Sequence, residues 1–203
     1  MIGILGGTRL ALTLGKSLSA RSVEIAYGVR KDFVPNDIEW KILNMSANPL
    51  KTFKEVIDCS EMILICCENS YLEQVFDELS NSDLKEKVVI DCTNSDDPKI
   101  FACNTDFIKS ILGTPKIFKA FNNLGLDYPN SDPMGVIKET YYCGPDIPEK
   151  LLVKQLIAKM GFKAIDAGKL ENAPLLEAMF HLRKAISNTK NASNDYHFKL
   201  IAV

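Results

Sequence analysis

A chain of 203 residues, 46% of them hydrophobic and 25% charged, has ordinary globular composition and can bury a sizeable core as a single domain. A formal net charge of -2 and the lack of any basic stripe argue against nucleic acid as a partner. No apolar run approaches the roughly 18 residues of a membrane span, and Met1-Ile2-Gly3-Ile4-Leu5 opens without a basic segment or cleavage site, so a cytoplasmic protein without signal peptide or membrane partner is expected.

Short β-rich runs alternate with helical ones. Ile2–Leu5 reads as a first strand, followed by a helix over residues 10–20 with Leu10, Leu14 and Leu18 at helical spacing. Residues 23–27 read as a second strand and 40–43 as a short third. A short helix is expected over 52–57. Residues 62–67 form a continuous apolar run, the pattern of a strand buried on both faces. A helix at 71–79 and a buried strand at 88–92 come next, then a loop and helix within 96–110. Ile117 to Phe121 reads as a sixth strand, and 122–133, rich in Asn, Asp, Gly and Pro, as a long loop. The spacing then predicts a strand at 139–143, a helix at 148–160 stopped by Gly161, a last strand at 163–166 and a helix at 173–186. A polar loop at 187–194 leads to an apolar tail, 196–203, suited to docking back. This alternation implies a Rossmann-like, doubly wound, mostly parallel sheet in a three-layer α/β/α arrangement, with a short C-terminal extension from 172 onward.

Gly6-Gly7-Thr8-Arg9-Leu10-Ala11 follows a strand and opens a helix, the setting of a dinucleotide fingerprint. The helix N-terminus there would offer free N–H groups and a positive dipole end to a diphosphate. Read without a gap, Thr8 replaces the second glycine, and its Cβ would crowd a phosphate. Read one residue shorter, Gly7 does that work. After the second strand come Arg30 and Lys31, where an NAD site carries an acidic residue. An arginine accommodates a 2′-phosphate, so NADP is favoured over NAD. Cys66-Cys67-Glu68-Asn69 and Asp91-Cys92-Thr93-Asn94 end later strands, where ligands of open α/β sheets sit.

The six cysteines include no pair of C-x-x-C motifs, and the two histidines are too few for a common zinc set. Reduced thiols and no metal are expected. Cys66 and Cys67 in an apolar run read as inert packing, and His181 as a packed or surface residue.

Four segments, Gly3-Ile4-Leu5-Gly6-Gly7-Thr8, Asp91-Cys92-Thr93-Asn94, Lys119-Ala120-Phe121-Asn122 and the run from Asp166 to Ala173, give the chain its likeness to a known group. It resembles the coenzyme F420-dependent NADP oxidoreductase family over about residues 1–180. The resemblance implies NADP held by the glycine turn and by Arg30, and a second flavin-like or deazaflavin (F420-like) cofactor stacked near the Phe121-Asn122 strand end. It implies a homodimer passing a hydride between NADPH and a small-molecule acceptor. Asn122 would orient the nicotinamide or the acceptor, with Asn94 next. The chain departs from the family at Thr8-Arg9, at Val29 and at Cys67-Glu68. Hydride transfer asks for proximity and orientation more than for an acid or base, and no catalytic dyad is visible. Two alternatives stay open: a non-catalytic NADP-binding sensor, and an imine or hydroxyacid reductase of the 6-phosphogluconate dehydrogenase type, which needs a long helical C-terminal domain, so that this chain is expected to stop too soon for it unless a swapped dimer completes the site.

Overall fold

The computed structural model describes residues 1–34, 38–44, 50–96, 103–113, 116–189 and 196–201. Its elements follow in chain order as β1 (Ile2–Leu5), α1 (Arg9–Ser19), β2 (Ile25–Val29), α2 (Ile38–Asn44), β3 (Lys51–Thr52), α3 (Phe53–Cys59), β4 (Met62–Ile65), α4 (Leu72–Ser80) and β5 (Val88–Asp91). Then come α5 (Asn104–Leu112), β6 (Ile117–Ala120), β7 (Glu139–Cys143), α6 (Glu149–Lys159), β8 (Lys163–Asp166) and α7 (Ala173–Thr189). The strands join one sheet in the order β3-β2-β1-β4-β5-β6-β7-β8. The first six run parallel; β7 turns antiparallel to β6, and β8 pairs parallel with β7.

The central strands are apolar on both faces because both faces are covered. Side chains alternate across a strand, so Ile4, Leu64 and Ile90 join one core with α1 and α6. Leu5, Ile63, Ile65 and Val89 join the opposite core with α3, α4 and α5. A smaller cluster under α7 joins Tyr141 and Cys143 of β7 to Ala173 and Leu176. This is the doubly wound, three-layer fold expected.

Local chemistry explains the helix starts. Thr52 accepts the Glu55 N–H while the Glu55 carboxylate accepts the Thr52 N–H, a capping box that opens α3. Those hydrogen bonds hold the Glu55 carboxyl below the usual carboxylate range.

Some expectations need correction. Residues 40–43 lie in helix α2, not in a third strand. Trp40 and Leu43 sit one helical turn apart, Trp40 packing edge-on against Tyr27, while Ile38 and Ile42 stay exposed. The third strand is the short Lys51–Thr52. The second strand runs two residues later than expected, so Arg30 follows it directly. The sixth strand stops at Ala120, and α7 extends to Thr189, past the expected start of a loop. Residues 97–102 of the loop and helix expected within 96–110, and residues 190–194 of the expected 187–194 loop, lie outside the described residues.

The tail does dock. Phe198 and Asn123 exchange hydrogen bonds at 3.0 and 3.2 Å, and the Gly125 N–H donates to His197 Nδ1 at 2.8 Å. This braces the loop that follows β6.

Candidate functional site

The carboxyl ends of β1, β4, β5 and β6 open into a cleft of about 660 Å³. Thr8, Arg9 and Leu10 line it from the start of α1, Cys66, Cys67 and Asn69 from the end of β4, and Cys92, Thr93 and Asn94 from the end of β5. Phe121, Leu124 and Tyr128 come from the loop after β6, and Phe180, Arg183 and Lys184 from α7. This is the edge at which ligands of open α/β sheets bind. A second hollow of about 440 Å³, beside Met1, Glu24 and Ile25, sits at the amino ends of β1 and β2, the other edge.

The glycine turn is built around Gly6, whose φ of +127° is a conformation that side chains rarely adopt. A Cβ there would lie 2.5 Å from the Cys66 carbonyl oxygen. Gly7 is small for a different reason from the one expected: the Phe33 ring occupies the place of its missing side chain. Thr8 caps α1. Its hydroxyl accepts the Ala11 N–H at 3.2 Å and donates to the Cys66 carbonyl at 2.6 Å, clasping the turn to the end of β4. The threonine in the fingerprint therefore has a structural duty. Thr8→Ala should cost about 1–2 kcal/mol, a fall in Tm of about 2–8 °C by calorimetry, with Thr8→Ser restoring most of it; an unchanged Tm would deny the clasp. Arg9 reaches across the mouth of the cleft to Asp127, at 3.2 Å.

Gly6, Gly7, Arg30 and Lys31 do not line the cleft itself. Arg30 stands beyond its rim with its guanidinium over the Tyr71 ring at 4.4 Å and near the Phe33 ring at 5.3 Å, while Asp32 lies 3.1 Å from its Nε. Lys31 is exposed.

Phe121 follows β6 directly with a φ of +72°, a sparsely populated conformation for an aromatic residue. The turn puts its ring in the cleft wall and its neighbour Asn122 behind that wall, 3% exposed. Asn122 Nδ2 donates to the Thr93 carbonyl and to Asn94 Oδ1, both at 2.9 Å, so two residues named together from the sequence do meet. Asn122 Oδ1 is buried with no hydrogen-bond partner among the described residues. Unmade hydrogen bonds of buried polar atoms cost about 1–3 kcal/mol, so an acceptor left open beside the cleft calls for an explanation such as an ordered water or a functional role.

Behind the asparagines lies a buried polar cluster that the sequence reading passed over. Lys119 of β6 stands directly beside Asp91 of β5 in the parallel register, both fully buried. The Lys119 ammonium donates to Asp91 Oδ2 at 2.7 Å, to the Thr93 carbonyl at 2.6 Å and to Glu177 Oε1 of α7 at 2.5 Å. Burial alone would push its pKa down; the Asp91 and Glu177 carboxylates outweigh that and hold it above its ordinary value. The available signal was a lysine and an aspartate inside otherwise apolar strand runs.

All six cysteines are free. Cys66 is pushed up by its contact with Cys92 and by burial, and burial pushes Cys67 up to about 12, so both stay as thiols. Among the described residues no cluster of metal-binding side chains occurs, and no helix is long and apolar enough to cross a membrane.

Comparison with known proteins agrees with this geometry. Residues 1–95 match the model of the family described as NADP oxidoreductase, coenzyme F420-dependent, which bears out the resemblance over that part of the chain. No curated protein sequence matches. Among solved structures, a candidate F420-dependent NADP-reductase from Arthrobacter sp. FB24 superposes with a TM-score of 0.80 at 17% identity, over 99% of both chains. An imine reductase from Myxococcus stipitatus in complex with NADP+ gives 0.66 at 13% identity, over 94% of this chain and 63% of that one. A hypothetical protein from Sinorhizobium meliloti gives 0.65 at 19% identity, over 86% of this chain and 88% of that one. At these identities the structures share a fold. The chain spans about three fifths of the imine reductase.

Proposed function

We propose that this chain, whose first 95 residues match the F420-dependent NADP oxidoreductase family, is an NADP-dependent oxidoreductase that moves a hydride between NADPH and a small acceptor. The observation that carries the reading is the Asn94 side chain in the cleft wall, its Oδ1 held by Asn122 and its Nδ2 bonded to none of the described residues, with the unpartnered Asn122 Oδ1 just behind it. One acceptor beside one donor is the complement of a carboxamide, the polar handle of a nicotinamide. Bound NADPH would supply the hydride. The protein's own residues bind and orient: the first N–H groups of α1, with Arg9 nearby, suit a diphosphate, and Arg30 suits a 2′-phosphate. Gly6 and Gly7 shape that turn, while Thr8, Leu10, Cys66 and Cys67 form its wall. Phe121, Leu124, Tyr128 and Phe180 offer an apolar, largely aromatic wall that would exclude water from a flat acceptor, which fits a flavin-like or deazaflavin partner.

The chain works as one domain in this reading, with α7 as its C-terminal appendage. The exposed Leu175 and Leu182 on α7 suit a homodimer contact, and the free cysteines suit the cytoplasm. An imine reductase is the second reading; the NADP+-bound fold neighbour favours it, and it requires a second copy to complete the site. Turnover with any acceptor excludes the sensor alternative.

Titration of the purified protein by nucleotide fluorescence tests the reading. NADPH should bind at least about tenfold tighter than NADH, about 1.4 kcal/mol, and Arg30→Ala should erase the gap. Failure of both nucleotides to bind would overturn the reading and redirect attention to a different ligand.

A further inference from the structure

Glu177 lies on α7, the last helix, yet its side chain is 0% exposed and enters the end of the sheet. Its Oε1 accepts from Lys119 and from the Asn104 N–H at the start of α5; its Oε2 accepts the Ser95 N–H at 2.7 Å. Each contact leads to the asparagine pair. Ser95 follows Asn94 in the chain, so Glu177 fixes the backbone on one side of Asn94, while Asn69 Nδ2 holds the Asn94 carbonyl at 2.7 Å. Lys119 shares the Thr93 carbonyl oxygen with Asn122. The side chain of Asn104 closes the ring, donating to Asn69 and to Thr93 Oγ1. Among the described residues, the buried side-chain atoms of this network are paired except Asn122 Oδ1, its open acceptor.

A buried ionic cluster is weak evidence of stabilisation, since well-packed apolar residues often do as well. What such a cluster supplies is fixed geometry for the groups it touches, as supporting shells do for ligands. We propose that Glu177, acting through Lys119 and the Thr93–Ser95 backbone, is a positioning residue for Asn94 and Asn122, so that seating of α7 sets the end of the cleft that reads a carboxamide. This rests on the nucleotide reading above.

The test separates the two halves of the dinucleotide. Wild-type protein and Glu177→Gln are titrated with NADP+ and with 2′-phospho-ADP-ribose, which lacks the nicotinamide. The glutamine keeps the shape, but one of its ends must now present N–H groups to donors. NADP+ should bind about fivefold to tenfold weaker to Glu177→Gln, with 2′-phospho-ADP-ribose unchanged. In a background lacking both side chains, Asn94→Ala with Asn122→Ala, the same substitution should add nothing further. Equal losses for both ligands, or a loss that persists in that background, would make Glu177 a structural staple and overturn the proposal. If wild-type protein binds 2′-phospho-ADP-ribose but gains nothing from the nicotinamide, the positioning role falls and the nucleotide site stands; if it binds neither ligand, both fall. Should Glu177→Gln fail to fold, Glu177→Asp, which keeps the charge and shortens the reach, is read against the same pair of ligands.

Discussion

Lys119→Met should destabilise the protein by about 3–5 kcal/mol, the cost of breaking a buried ion pair by removing one partner. Among the described residues, the lysine brings the only positive charge bonded to two fully buried carboxylates, Asp91 and Glu177. Its removal strands both and frees the Thr93 carbonyl of one donor. Methionine matches the volume of the stem, so the loss reports the charge and not a cavity. At about 2–4 °C per kcal/mol for a chain of this size, Tm should fall by roughly 6–20 °C. A loss below about 1 kcal/mol would show that the carboxylates find other partners. The contribution of Lys119 should not respond to pH near neutrality. The folded-state pKa of Lys119 lies above its ordinary value, so its contribution is fully present below that ordinary value and fades only as pH rises through the raised one.

Gly6→Ala should cost about 2–6 kcal/mol, combining a backbone conformation that costs a side chain about 1–3 kcal/mol with overpacking of similar size. The decisive fact is what the new methyl would meet. At Gly6 it is the Cys66 carbonyl, backbone at the end of β4, which moves only if two central strands part. That carbonyl also receives the Thr8 hydroxyl, so the clasp on α1 should fail with it. At Gly7 the obstacle is the Phe33 ring, the end of a side chain that can swing. Denaturant unfolding should therefore rank Gly6→Ala well below Gly7→Ala in stability, and nucleotide titration should show the greater loss of binding for Gly6→Ala. The reverse ranking would mean that the turn is held by Phe33 and not by the approach of β4.

The sequence by itself determined whatever depends on neighbours along the chain. Continuous apolar runs such as Ile63–Ile65 announced strands buried on both faces, and Gly6 to Leu10 announced a strand–turn–helix, because side-chain period and capping are local properties. Recognisable segments around Asn94 and Asn122 led to two residues that do touch. Residues 40–43 misled because four residues hold too little period to separate a strand from a turn of helix. Only the tertiary structure decided which groups share a space. Thr8 finds Cys66 from 58 positions away, Lys119 finds Asp91 and Glu177 from 28 and 58, and Phe33 folds against Gly7. Those pairings follow from strand order and from where α7 returns to the sheet. A charge that looks out of place in an apolar run is accommodated only when the fold brings its counter-charge alongside, and that partnership belongs to the packed sheet and helix together.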